Sequence, residues 1–168
     1  MLPLSDLKVL RQPEGQAIAR QLATQADILI ENFSPGTLEK WGMDYDSLSK
    51  DNPGLIMVRI SGFGQTGPYR KSPGFGVIGE AMGGLRYLSG EPGRKPVRVG
   101  ISIGDTLAAL HAVVGIFAAI EARRKTGKGQ VVDVALSESV FNVMESLLPE
   151  YCQAGIVREP AGSGEAQA

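Results

Sequence analysis

The longest unbroken apolar pattern in the chain is Thr106 to Ile120, where every face is apolar or small except at His111. A helix that is apolar all round belongs in a buried core, so this stretch predicts a buried helix opening at Gly104-Asp105 and running to about Lys125. At 1.5 Å per residue it would be roughly 30 Å long. Arg123, Arg124 and Lys125 give it the charge suited to a helix C-terminus, and Thr126-Gly127-Lys128-Gly129 reads as its stop.

Earlier in the chain, Pro13-Glu14-Gly15 starts a helix through about Gln25, with Ile18, Leu22 and Ala26 as its apolar stripe. Ile28-Leu29-Ile30 predicts a short buried strand that ends at Glu31-Asn32-Phe33, where an open α/β sheet places its ligand loops. Ser34-Pro35-Gly36 is a turn and Thr37 the cap of a short helix. A second short helix over Asp44 to Lys50 stops at Asn52-Pro53-Gly54. Leu55 to Ile60, interrupted only by Arg59, is a second buried strand leading into the glycine loop Ser61 to Pro68.

Gly74 to Gly84 predicts a helix with Phe75, Ile78 and Met82 on one side. Leu85 to Leu88 reads as a strand or turn, and Ser89 to Pro96 as a surface loop. Gln130 to Ala135 is a third strand, after which Ser137 caps a last helix ending near Pro149. The tail Pro160 to Ala168 has little to bury and is expected to be disordered. Strands alternating with helices predict an α/β fold, a mainly parallel sheet with flanking helices.

Composition narrows the function classes. With 168 residues, 43% of them hydrophobic, and a net charge of -1, the chain reads as a soluble globular segment without the basic excess that nucleic acid requires. A single Cys152 gives no disulfide framework, and with one histidine there is no cluster for zinc or another metal. No secretory signal, transit peptide or charge-free apolar run of membrane-spanning length is seen, which points to no membrane association and a cytoplasmic location, or the mitochondrial matrix in a eukaryote.

The best chemical candidate is Asp105. It sits where an extended loop meets a helix, and the dipole of the first turn favours an anion there. The simplest structural reading is an N-cap. Ala108 and Ala109 lie one turn on and cannot hydrogen-bond to it. His111 is about 9 Å further along the axis by helix rise and on roughly the other side. The two are no dyad, and His111 reads as a satisfied core or interface histidine. An ionised carboxylate needs no general base to act as a nucleophile.

Three blocks carry a resemblance: ADILIENFSPGTLEKWG at Ala26 to Gly42, GLIMVRISGFGQTGPY at Gly54 to Tyr69, and VGISIGD followed by ARRKTGKGQVVDVAL. In order and spacing they resemble the family III CoA-transferases (the CaiB/BaiF type), which include formyl-CoA:oxalate and carnitine CoA-transferases. The likeness covers about residues 8 to 160. It implies that residues 1–159 are part of a nucleotide-fold large domain, with its first βα units and the small domain not in this sequence. It implies a homodimer in the full-length family, coenzyme A as a carrier with no tightly bound cofactor, and an acyl-CoA and a small carboxylic acid as substrates.

By the same resemblance Asp105 is the catalytic nucleophile that takes up the acyl group and then CoA. Asn32, Phe33 and Ser34 match CoA contacts, as do Lys40, Arg11 and Phe75. Taken as bare residue types, Phe33 and Trp41 also suit core packing, and Lys40 and Arg11 suit a solvated surface. Many relatives carry Tyr-Asp or a similar pair where this chain has Phe75-Gly76. The family's acyl-CoA racemases have a histidine at the place of Phe75; a phenyl ring cannot take a proton, so that activity is disfavoured. The remaining alternative is a catalytically inactive binding or interaction module.

Overall fold

The computed structural model describes Leu10 and residues 12–164, so Arg11 and residues 165–168 of the expected tail lie outside the described residues. Three strands, β1 (Ile28–Glu31), β2 (Ile56–Ser61) and β3 (Val131–Ala135), make one sheet in the order β1-β2-β3. With the helices around it this is the expected α/β architecture. β1 and β2 are parallel, with Ile28 opposite Ile56 and Glu31 opposite Arg59. The described residues divide into two compact units, one from those up to 59 with 114–132, the other from 60–113 with 133–164.

In the first unit, α1 (Pro13–Ala23), the four-residue α2 (Thr37–Lys40) and α3 (Tyr45–Asp51) accompany the strands. Ala23, Leu38, Met43, Leu48, Leu55 and Met57 form the core, with Phe33 and Trp41 packed on it. Burying such a cluster at about 25 cal/mol per Å² is the main force holding the unit together. Asp44, expected as the first helical residue, is instead the cap of α3 and accepts the Ser47 N–H at 2.9 Å. The Asn52 side-chain amide donates to the carbonyls of Ala23 and Ala26, tying off the end of α1.

Several expectations for this unit are corrected. The buried positions of α1 are Gly15 and Ala23, with Ala19 packed against the core, whereas Ile18 and Leu22 are exposed. β1 is not a buried strand: it lies at the edge of the sheet order and Ile30 is exposed. Gly36, with φ of 89°, takes the N-cap place of α2, and Thr37 is the first helical residue. That left-handed conformation suits a residue without Cβ.

The 24-residue helix α6 (Ile103–Thr126) is the longest element. Only a narrow side of it is buried, at Gly104, Ala108, Ala112 and Ala119, while Leu110, Val113, Val114 and Phe117 are exposed. It is therefore not the fully buried helix that its composition predicts, although it is long and apolar enough to cross a membrane. Its C-terminal part belongs to the first unit, where Arg123 donates to the Gly54 carbonyl at 2.9 Å and pairs with Asp27 at 3.0 Å. The predicted stop is observed: Gly127 has φ of 72°, and its N–H donates to Arg123.

In the second unit, α4 (Gly76–Met82), the short α5 (Leu85–Leu88) and α7 (Leu136–Asn142) join the start of α6. α4 and α7 meet through glycines: a Cβ on Gly79 would come within 3.1 Å of the Leu136 Cβ, and one on Gly83 would overlap Val140. The predicted apolar side of α4, Phe75, Ile78 and Met82, is exposed instead. Leu85 to Leu88 is helical rather than a strand or turn. The expected helix from Ser137 to Pro149 is broken into α7, α8 (Leu147–Pro149) and a π-helical turn over Glu150–Ala154, and Ala135 rather than Ser137 holds the N-cap place. Of the tail, Gly162 donates its N–H to the Gly90 carbonyl.

Candidate active site

Asp105 is the third residue of α6, inside its first turn, and not the N-cap. The turn is closed behind it, where the N–H and Oγ1 of Thr106 both donate to the Ser102 carbonyl at 3.1 Å. Asp105 is exposed, and among the described residues no hydrogen bond or ion pair engages its carboxylate. The carboxylate rests on the backbone of Gly76, the first residue of α4. A Cβ at position 76 would overlap Oδ2 and stand 3.1 Å from Cγ. Gly104 shares this close approach, since a Cβ there would be 3.0 Å from the Gly76 carbonyl oxygen. The result is a free anion at the positive end of a long helix, seated against bare backbone.

The segment before α4 is held by a second glycine pair. Gly62, in the loop after β2, and Gly74 touch so closely that a Cβ on either would overlap the other's Cα. In the same loop Gly64 has φ of 78°, and the Asp133 carboxylate accepts the Gln65 N–H at 2.9 Å. Gly62-x-Gly64 thus serves as a turn rather than a phosphate cradle, because a carboxylate of the protein already takes one of the loop's amides. The loop also lines a cleft of about 460 Å³ with Tyr69, Met82, Asp133 and Phe141; Asp105 is not among its lining residues.

His111 is satisfied, as expected. Its Nδ1 lies 2.8 Å from the Leu107 carbonyl and its Nε2 3.2 Å from the Asn142 Oδ1. Phe75 occupies the N-cap place of α4 and is exposed.

Asn32, Phe33 and Ser34 lie in the first unit on the loop from β1 into α2, and Lys40 is the last residue of α2; Asn32, Ser34 and Lys40 are exposed and Phe33 is half-buried. Phe33 packs edge-on against Trp41, with ring centroids 5.3 Å apart. Beside them is an apolar cavity of about 280 Å³ whose lining includes Ile28, Ile30, Phe33, Trp41 and Met43. The aromatic pair thus serves the core and shapes the loop at once.

A group that sequence reasoning missed stands under this loop. Arg59 is buried; its Nε donates to Glu31 Oε1 at 2.6 Å, and its Nη1 and Nη2 donate to the two oxygens of Glu39 at 2.6 and 3.3 Å. The other oxygen of Glu31 accepts the Phe33 N–H at 2.8 Å. Burial alone would lower the affinity of Arg59 for its proton, but the hydrogen bonds with Glu39 and Glu31 outweigh it and raise its pKa. The hydrogen bond from Arg59 holds the Glu39 carboxyl below its ordinary value. The available signal was positional: Glu31 and Arg59 each stand three residues after the first residue of their strands.

Residues 9–168 match the sequence profile of CoA-transferase family III. The chain belongs to that family. A succinyl-CoA–D-citramalate CoA-transferase of Chloroflexus aurantiacus is 54% identical over 154 residues, which are 92% of this chain and 38% of that protein. The alpha subunit of a succinyl-CoA–L-malate CoA-transferase from Chloroflexus aurantiacus is 47% identical over 156 residues, 92% of this chain and 36% of that one. Among solved structures, a CaiB/BaiF family protein from Brucella suis superposes with a TM-score of 0.85 at 39% identity, covering 90% of this chain and 40% of its own. The chain thus spans about two fifths of the length of these family III relatives.

Proposed function

We propose that this chain carries the nucleophile of a family III CoA-transferase, which moves CoA from an acyl-CoA thioester to a carboxylic acid. The observation that carries the reading is the carboxylate of Asp105: exposed, free of protein partners among the described residues, and set in the first turn of a 24-residue helix. Asn32, Phe33, Ser34 and Lys40 are the CoA contacts on this reading, Lys40 offering its charge to phosphate and the loop its amides and short side chains. Phe75 and Arg11 complete the proposed set.

The chemistry proceeds by covalent exchange. An oxygen of Asp105 attacks the thioester carbonyl carbon of the donor; the C–S bond breaks, CoA thiolate leaves, and a mixed anhydride forms. The thiolate then attacks the Asp105 carbonyl carbon, releasing the donor acid as its carboxylate and leaving CoA in thioester linkage to the enzyme. The acceptor carboxylate attacks that thioester, giving a second anhydride and free thiolate. Attack of the thiolate on the acceptor's acyl carbon yields the new acyl-CoA and restores Asp105. The energy of the thioester is kept throughout, and no metal or redox group is required by the proposed steps.

The names of the relatives support succinyl-CoA as the donor and a small hydroxylated dicarboxylic acid as the acceptor. Racemase chemistry is disfavoured on the same resemblance, which puts Phe75 at the place of the racemases' histidine, because a phenyl ring cannot take a proton. A binding module without catalysis is the second reading, favoured by the exposed apolar side of α6.

Intact-mass spectrometry after incubation with succinyl-CoA separates the two. A hydroxylamine-sensitive adduct located to Asp105, absent in Asp105→Asn, is the expected result. An adduct that persists in Asp105→Asn overturns the nucleophile assignment, and no adduct from folded protein favours the binding module.

A further inference from the structure

We propose that Arg59 is the positioning residue of the loop that takes CoA, acting through Glu31 and Glu39. The inference rests on the reading of Asn32 to Ser34 and Lys40 as CoA contacts. Its basis is the path of hydrogen bonds beneath that loop. Glu31 is buried at the end of β1; one oxygen receives Arg59 Nε at 2.6 Å and the other receives the Phe33 N–H at 2.8 Å. A side chain that accepts from the amide two residues ahead closes a tight local ring. The residue inside that ring is Asn32, so both its neighbours are fixed and it stands exposed between them.

The second arm of Arg59 grips α2. Four residues are too few for a helix to hold itself, so α2 needs an outside anchor. The two-pronged contact between the guanidinium and Glu39 is such an anchor, and Lys40 is the next residue. One buried cation, placed by the pairing of β2 with β1, therefore sets the loop and the helix of the proposed contacts together.

Stability alone does not explain the group. A buried ion cluster is often no more stabilising than apolar side chains of the same volume, because each charge must be stripped of water. An apolar residue at position 59 would continue the run Leu55 to Ile60 without that cost. What the cluster adds is directional: planar bonds that fix two carboxylates, and through them a backbone amide.

The test measures the affinity for CoA itself by calorimetry, with thermal melting and hydrogen exchange at the Phe33 amide as companions. Arg59→Met is expected to weaken CoA binding about tenfold or more, since sub-ångström placement governs such contacts, and to speed exchange at Phe33 well below the melting temperature. Glu39→Gln, changed at the more exposed end of the cluster, is expected to fold normally and weaken binding about threefold. Folded Arg59→Met that binds CoA within twofold of the parent chain overturns the proposal. Should that variant not fold, unchanged affinity in Glu39→Gln does so.

Asn32→Ala separates this inference from its premise. If it weakens binding while both clamp variants do not, the inference alone fails. If Asn32→Ala has no effect, or the parent chain does not bind CoA, the reading of the loop fails and the inference with it.

Discussion

The loop that carries Asn32 is held by a buried arginine, two glutamates and a pair of packed aromatic rings, whereas Asp105 rests against a residue with no side chain. In the first region the backbone is held by what its neighbours carry; in the second it is free to approach because its neighbours carry nothing. Placement by charge is directional but costs desolvation, and each partner can be lost separately. Placement by glycine needs no partner, but fails as soon as a single carbon is added.

The largest effect is therefore expected in the second region. A methyl on Gly62 would overlap the Cα of Gly74, and backbone cannot swing aside as the end of a side chain can. Gly62→Ala is expected to cost about 3 kcal/mol, at the upper end of overpacking, and to lower the melting temperature by several degrees. Urea unfolding measures it; an unchanged midpoint would mean that the two backbones are not in contact.

Gly76→Ala sharpens the contrast. Its new methyl would meet the carboxylate of Asp105, a side chain able to turn away, so stability should hardly change while the carboxylate is displaced. The adduct on Asp105 should form about tenfold more slowly even at saturating acyl-CoA, because the attacking atom has moved. Arg59→Met should do the reverse, weakening affinity and leaving the saturated rate within twofold. Identical rate and affinity profiles for the two variants would refute the division into two kinds of support.

The same contrast explains what could be seen in the sequence. Strand β2, the Gly127 stop and the α/β order were legible because each is a local pattern or a single residue type at its usual place. The packed sides of helices were not. α1, α4 and α6 turn Ala and Gly inward at Gly15, Ala23, Gly79, Ala108, Ala112 and Ala119, and leave Ile18, Met82 and Phe117 outside. Hydrophobic patterning weights large residues, but close approach selects small ones. Arg59 read as an interruption because its partners lie 28 and 20 residues away and meet it only once the strands are paired. Asp105 stood out by position, while the need for Gly76 beside it arises only in three dimensions.

The smallest expected effect tests the charged region through pH. The carboxyl of Glu39 is lowered below its ordinary value of 4.5, chiefly by the hydrogen bond from Arg59. A lowered folded value means that the unfolded chain takes up the proton first on acidification. The contribution of this pair is thus fully present above about 4.5, the unfolded value, and is lost as pH falls through the lower folded value. The Glu39 side chain is 42% exposed, so water screens the pair and no more than about 0.5 kcal/mol is expected from it. Chemical denaturation from pH 7 downward should show that small fall in the parent chain, and Glu39→Gln should remove it. Equal slopes in the two proteins would mean that the Arg59 grip on α2 carries no measurable share of folding, leaving CoA affinity as the quantity through which the clamp acts.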